Sequence, residues 1–532
     1  MMQVNKVIVI VLIAAIILSG LGIYYYTLMN PSAPEEKILV VGHTAETGTL
    51  FDPSGCSDRV GIEAISNIYD TLYRLDYDAQ AKGEIKIVPW LAADYPQVSS
   101  DGLEYTISLR RNVTFHDGTP FNASCVKYNF DRHSQLKRGY AFVITESMSY
   151  VKSEVIDEYT IKIVTKNPVR LITTILTNFP TSIASPSAIM KYGNDTFGAN
   201  PVGTGPWKFV KWERNVELVL ERNDDYFFVN YRPKMDKIII RVYGDPASMR
   251  MAMEKGEIDV GWNNWAPQDA LDLMENQDVG WFDLTYGYQR LLMFNVGMED
   301  NPINDVYVRR AICYCIDREE IAQKVFKGFV YPTYSIVGSL YEDQGGGLDE
   351  YKRYDYNITK ATALLAEAGY PNGVDIELWY TPIYWGEEEE DFAVTVQEQL
   401  AKAGIRATLK SAEWGTYTSM ATSGQLPLSF QNQAPVYPHI EALISGMAPA
   451  GAGWSKRIGL NDTQLIELYN ITVSTANEEE RKQAYVDIQN RLCELVTWAP
   501  IVTTRYVLFY RQDVKGVVPW IIFHCFWAMW EK

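Results

Sequence analysis

The stretch from Leu91 to Phe130 constrains the fold of this chain more than any other. Asp101-Gly102 is a turn dipeptide, with glycine free to take positive φ. After it, Leu103, Tyr105, Ile107 and Leu109 alternate with Glu104, Thr106, Ser108 and Arg110. That period of two predicts a strand with one buried face. His116-Asp117-Gly118-Thr119-Pro120 makes a second turn. Asn122 then suits a helix N-cap, because its side-chain oxygen can accept from an orphan N–H of the first turn. Val126 and Phe130, four apart, open the apolar face of that helix.

A chain of 532 residues can bury large cores in two or more domains. Its formal charge of −18, from 48 basic and 66 acidic residues, argues against a nucleic-acid or anionic-membrane partner. The 35 Tyr and 14 Trp exceed what a core needs and leave some for a stacking surface. The cysteines Cys56, Cys125, Cys313, Cys315, Cys493 and Cys525 form no C-x-x-C and have no histidine at zinc spacing, so no metal is expected. Long-range disulfides and buried free thiols both fit their scatter.

Val7 to Met29 carries no charge; these 23 residues would span roughly 35 Å as a helix, enough for a ~30 Å hydrocarbon core. Lys6 precedes and Glu35-Glu36 follow, which places the N-terminus in the cytoplasm and the bulk of the chain outside the cell membrane. An uncleaved single-pass anchor is expected over the alternative, a cleaved signal peptide, whose apolar region is shorter and ends in an A-x-A site. Six N-x-[S/T] sequons, at Asn112, Asn122, Asn194, Asn357, Asn461 and Asn470, agree with an outside location.

Further along, Lys37–Gly42 reads as a buried first strand, Ile62–Tyr73 as a helix and Val151–Thr165 as a hairpin. Asp245-Pro246 is an N-cap followed by proline at the first helical position. Glu257–Gly261 is a short strand that Trp262-Asn263-Asn264-Trp265 leaves. From Asp375 to Gln431, strand and helix alternate in the βαβ rhythm of a parallel-rich sheet. The acidic run Glu387–Asp391 lacks the ligand pattern of an EF-hand and reads as a solvated helix N-terminus.

Ile68-Tyr69-Asp70-Thr71-Leu72, Pro89-Trp90-Leu91-Ala92, Asp101-Gly102, Phe115-His116-Asp117-Gly118 and Gly203-Thr204-Gly205-Pro206-Trp207 follow one another in order. That series resembles the extracytoplasmic solute-binding proteins of ABC importers, the oligopeptide/dipeptide/nickel class known as family 5. The resemblance implies a two-lobed, periplasmic-binding-protein-like α/β fold of the class II type, with an extra mixed α/β insertion in the first lobe. With the N-terminal transmembrane helix, the expected divisions are a tail (1–6), an anchor (7–29) and a linker (30–36). Lobe 1 is then 37–295 plus 499–532, with the insertion at about 75–200, and lobe 2 is 296–498. Such lobes close around a small oligomeric solute by hinge motion and deliver it to permease subunits with an associated ATPase.

No H-E-x-x-H, G-x-S-x-G or G-x-x-x-x-G-K-[S/T] occurs, so neither an enzyme nor a cofactor is expected. Binding residues are sought at strand ends facing the cleft. Trp262, Asn263, Asn264 and Trp265 leave a strand just before the crossing to the second lobe. Trp414 follows Glu413 in a position that lies in the peptide cleft of the family. Peptide-binding members carry Arg, Trp and Asp where this chain has Phe430, Gln433 and Val436. Their Asp pairs with the ligand's amino group, and a valine cannot. Phe430, Asn432, Gln433 and Tyr437 offer amides and aromatic faces instead, which suit a neutral oligosaccharide as well as the family's default peptide. A cell-surface sensor on the same fold and a secreted hydrolase are the alternatives.

Overall fold

The structure is a computed structural model. It describes residues 36–532 except 45–50, 83, 263–264, 284–287, 383–385, 387, 434, 436, 449–452, 476 and 519–526. The expected anchor (7–29) therefore lies outside the described residues. Among the described residues no helix is long and apolar enough to cross a membrane.

Two large sheets divide the chain. The first has seven strands in the order Val279–Asp283, Val507–Arg511, Val260–Trp262, Ile38–His43, Lys237–Val242, Glu217–Arg222 and Trp207–Glu213. The second has six, in the order Val330–Pro332, Trp498–Thr504, Tyr288–Phe294, Leu428–Gln433, Val374–Tyr380 and Ile405–Ser411. Each sheet carries its own apolar core. The chain passes from the first sheet to the second between Asp283 and Tyr288, and returns between Thr504 and Val507. This corrects the boundaries expected from sequence. Tyr288–Phe294 and Trp498–Thr504 are both long apolar runs, so sequence alone could not say which sheet they join; their pairing puts them in lobe 2. Where the chain crosses, Arg505 Nε donates to Asp283 Oδ2 at 2.7 Å, and the Arg505 guanidinium lies 5.4 Å from the Phe329 ring of lobe 2.

The insertion is a separate four-stranded sheet with its own core. Glu104–Ser108 is one of its strands, with Tyr105 and Ile107 buried as the alternation requires. The hairpin is Tyr150–Asp157 and Thr160–Thr165. The helix Ala123–Leu136 is capped by Asn122, whose Oδ1 accepts from Ser124 N at 3.0 Å. Asn357 caps its own helix in the same way, accepting from Lys360 N at 2.9 Å, so two of the six sequons serve as caps. Asp245 caps Pro246–Glu254, as expected. The helix expected at 62–73 is shorter. It runs Arg59–Ile68, and Tyr73–Leu75 is a strand paired with Ile87–Pro89. The chain turns at Asp70, whose carboxylate is drawn into a buried network described below. Cys56, Cys125, Cys313, Cys315 and Cys493 are all free and buried, so no disulfide joins the described cysteines; Cys525 lies outside them.

Candidate functional site

Strand direction fixes where the two lobes face each other. Tyr288–Phe294 enters lobe 2 directly from the crossing and runs antiparallel to Leu428–Gln433, with Gln289 opposite Gln433. The C-terminal end of Leu428–Gln433 therefore lies on the side of the crossing. Val374–Tyr380 and Ile405–Ser411 run parallel to it, so their C-terminal ends share that edge. By the same reasoning His43, Val242 and Trp262 end their strands at the facing edge of lobe 1. Two rows of carboxyl-terminal strand ends thus border one cleft, the arrangement in which α/β sheets hold ligands.

The residues singled out in the sequence fall unevenly on this cleft. Trp262 ends its strand at the lobe 1 edge, and Asn263 and Asn264 lie outside the described residues. Trp414 is the first residue of the helix Trp414–Thr422 at the lobe 2 edge, half-buried against a cluster containing Tyr417 and Leu426. Glu413 caps that helix, accepting from Gly415 N at 3.0 Å and Thr416 N at 2.9 Å. Asn432 and Gln433 close the strand Leu428–Gln433. Asn432 Oδ1 and Gln433 Oε1 are both buried without a hydrogen-bond partner among the described residues.

Three others occupy cores. Trp265 is only 7% exposed, edge-to-face on Phe509 at 5.2 Å. Phe430 packs on Phe392 at 4.7 Å inside lobe 2. Tyr437, 1% exposed, joins the core of the lobe 1 insertion with Ile144 and Met148, so it plugs one lobe into the other. Each is an aromatic whose apolar area found a neighbour within packing distance, which sequence spacing could not foresee.

Sequence reasoning also missed a charge cluster on the lobe 2 edge. Arg290 is the lone charge in the central strand Tyr288–Phe294. Its guanidinium is 3% exposed and forms an ion pair with Glu389 and another, at 3.0 Å, with Glu388. Glu389 opens the helix Glu389–Ala401 but is only 1% exposed. This corrects the reading of Glu387–Asp391 as a solvated N-terminus at Glu389 alone: Glu390 and Asp391 are exposed in the first turn, as read, and 387 lies outside the described residues. The signal was present: a lone arginine in an apolar central strand needs a buried partner. Burial pushes the Glu389 carboxyl up to about 7; Arg290 opposes that shift and Glu388 adds to it.

The family signature residues sit elsewhere and do structural work. Asp70 is fully buried in lobe 1. It accepts from Trp90 Nε1 at 2.9 Å, Tyr226 OH at 3.0 Å and Thr204 Oγ1 at 2.9 Å, and Arg74 lies 3.5 Å away. Gly203 and Gly205 press on the end of the helix Arg59–Ile68. A Cβ on Gly203 would stand 2.1 Å from the Ile68 carbonyl oxygen, and one on Gly205 2.4 Å from that of Asn67. His116 bolts the insertion to this loop. Its Nδ1 accepts from Gly203 N at 3.4 Å, so its Nε2–H donates to the Gly205 carbonyl at 2.9 Å. Burial lowers the His116 pKa to about 4 and keeps the ring neutral.

Residues 86–454 match the model of the bacterial extracellular solute-binding proteins, family 5 middle region. This chain belongs to family 5. Among curated members, it is 28% identical over 519 residues to the glutathione-binding protein GsiB of Salmonella choleraesuis, covering 92% of this chain and 93% of that protein. Among solved structures it resembles DppA of Helicobacter pylori in complex with the peptide STSA (TM-score 0.80, 23% identity, 93% of this chain and 98% of that one). It also resembles AgaA of A. tumefaciens R10 in complex with agropinic acid (TM-score 0.79, 26% identity, 92% and 96%). The two-lobed fold implied by the sequence is thus shared over nearly the whole chain.

Proposed function

We propose that this chain is the solute-capturing subunit of an ABC importer. It takes a short peptide or peptide-like oligomer into the cleft between the lobes and passes it to permease subunits and their ATPase. The observation that carries this reading is the cleft itself, bordered by the strand ends of both lobes where the chain crosses twice. The similarity to GsiB and to peptide-bound DppA supports a peptide-like solute rather than an oligosaccharide. Trp262, Asn263 and Asn264 would line the lobe 1 side, and Trp414, Asn432 and Gln433 the lobe 2 side. Trp265, Phe430 and Tyr437 would support that lining from behind. Val7–Met29 would tether the chain to the membrane, with the lobes extracytoplasmic.

A thermal-shift panel tests the proposal: glutathione, di- to pentapeptides, maltotriose and cellotriose against the full-length protein. Stabilisation by glutathione or a peptide is expected. Stabilisation by the oligosaccharides alone would keep solute binding and remove the peptide reading. No shift with any class would remove both.

A further inference from the structure

The Arg290 cluster is out of balance: one guanidinium faces two carboxylates, Glu388 and Glu389, and all three side chains are buried or nearly so. Glu389 Oε1 meets Arg290, while its Oε2 is buried without a hydrogen-bond partner among the described residues. Nearby acceptors share that condition. Asn432, directly across the strand pair from Arg290, has an unpartnered Oδ1. Thr381 Oγ1, one residue past the end of Val374–Tyr380, is also unpartnered; Gln433, one residue on from Asn432, turns to the other face of the strand. All of these lie on the edge of lobe 2 that borders the cleft. The backbone also makes room for the carboxylates: Gly386 has φ +149°, and a Cβ there would stand 2.4 Å from the Glu388 carboxylate.

We propose that Glu389, steadied by Arg290 and flanked by Glu388 and Asn432, with Thr381 at the neighbouring strand end, is a subsite for a cationic amine of the solute. An unpaired buried carboxylate oxygen is costly, and a partner cation with N–H donors removes that cost. A solute carboxylate fits the subsite badly, because Arg290 already serves two glutamates and a third anion would add repulsion. A neutral sugar could donate to the Asn432 amide but would leave the surplus charge unmatched. The chain thus supplies from the helix start at Glu389 the negative charge that Val436 cannot offer. The raised pKa of Glu389 agrees: burial favours a proton on its carboxyl, and an ammonium bound there would displace it.

This inference rests on the solute-binding reading, and its test separates the two. Glutathione, trialanine and the peptide Ser-Thr-Ser-Ala are titrated into the full-length protein by calorimetry, each beside its N-acetylated counterpart, with maltotriose as a neutral solute. The free-amine form of at least one is expected to bind roughly tenfold or more tighter than its acetylated form, the range for a hydrogen bond to a charged group. That binding should release protons near pH 6.5, read as a buffer-dependent heat. In Glu389→Gln the amine preference should fall toward unity; Glu388→Gln, which leaves the Arg290–Glu389 pair intact, should keep most of it. Equal binding of free and acetylated forms, or binding of maltotriose alone, overturns the amine subsite and leaves solute binding intact. Absence of binding by every probe overturns both.

Discussion

Two buried polar clusters in this molecule are built on opposite terms. In lobe 1, Asp70 receives donors from Trp90, Tyr226 and Thr204, with Arg74 beside it. In lobe 2, Arg290 holds two glutamates and leaves Glu389 Oε2 with no partner among the described residues. A saturated network rigidifies a scaffold. A network with spare acceptors at a cleft edge has capacity left for something that arrives from outside. The contrast separates a network that holds the fold together from one proposed to receive the solute.

Substitutions should split along that line. Removing Asp70 as Asp70→Ala takes the shared acceptor from Trp90, Thr204 and Tyr226 and the carboxylate from beside Arg74, and should cost about 3–5 kcal/mol in unfolding free energy by denaturant titration. A loss under about 1 kcal/mol would mean the lobe 1 network is not the scaffold described here. Tyr437→Ala empties an aromatic site in the insertion core and should cost about 3 kcal/mol. Because Tyr437 comes from lobe 2, small-angle scattering of the variant should also show a larger radius of gyration; an unchanged radius would show that the lobes stay closed without the plug.

The pH dependence should carry opposite signs at His116, beside the lobe 1 network, and at Glu389 in lobe 2. His116 has a folded pKa of about 4, below its usual 6.5. Its contribution is present above pH 6.5 and is lost as pH falls toward 4, at up to about 1.4 kcal/mol per pH unit. Glu389 has a folded pKa of about 7, above its usual 4.5. Its contribution is present below pH 4.5 and is lost as pH rises to 7. The two windows overlap, so the sign separates them: in thermal denaturation between pH 4 and 7, His116→Gln should lose a rise of stability with pH relative to wild type, and Glu389→Gln should lose a fall. A change of the same sign in both variants would break the comparison. The smallest effect expected is that of Glu389→Gln on stability at pH 7.5: a change within about 1 kcal/mol, or a gain, since the variant removes a surplus buried charge and keeps the Arg290–Glu388 pair.

Much of the fold was legible in the chain because its signals are local. The alternation Leu103–Leu109, the Asn122 cap, Asp245-Pro246 and the βαβ rhythm after Asp375 each depend on residues a few positions apart, and each formed as read. The helix after Ile62 was misjudged at its end because the residue that stops it, Asp70, answers to Trp90, Thr204 and Tyr226. The site was legible only in outline. Trp262, Trp414, Asn432 and Gln433 were placed at strand ends, where the edges of the cleft lie. Trp265, Phe430 and Tyr437 went to cores, since an aromatic ring carries the same sequence signal whether it meets a solute or a neighbouring side chain.

The sequence by itself determined membership in family 5 and the run of elements, because both are written in turn residues, caps and hydrophobic period. Tertiary structure alone decided which sheet each crossing strand joins and which lobe Tyr437 fills. It also brought Arg290 to Glu388 and Glu389, about a hundred positions apart in the chain. Charge balance in a buried cluster is a property of what packs together. No local pattern announces it, and on this protein the proposed amine subsite rests on the balance at Glu389.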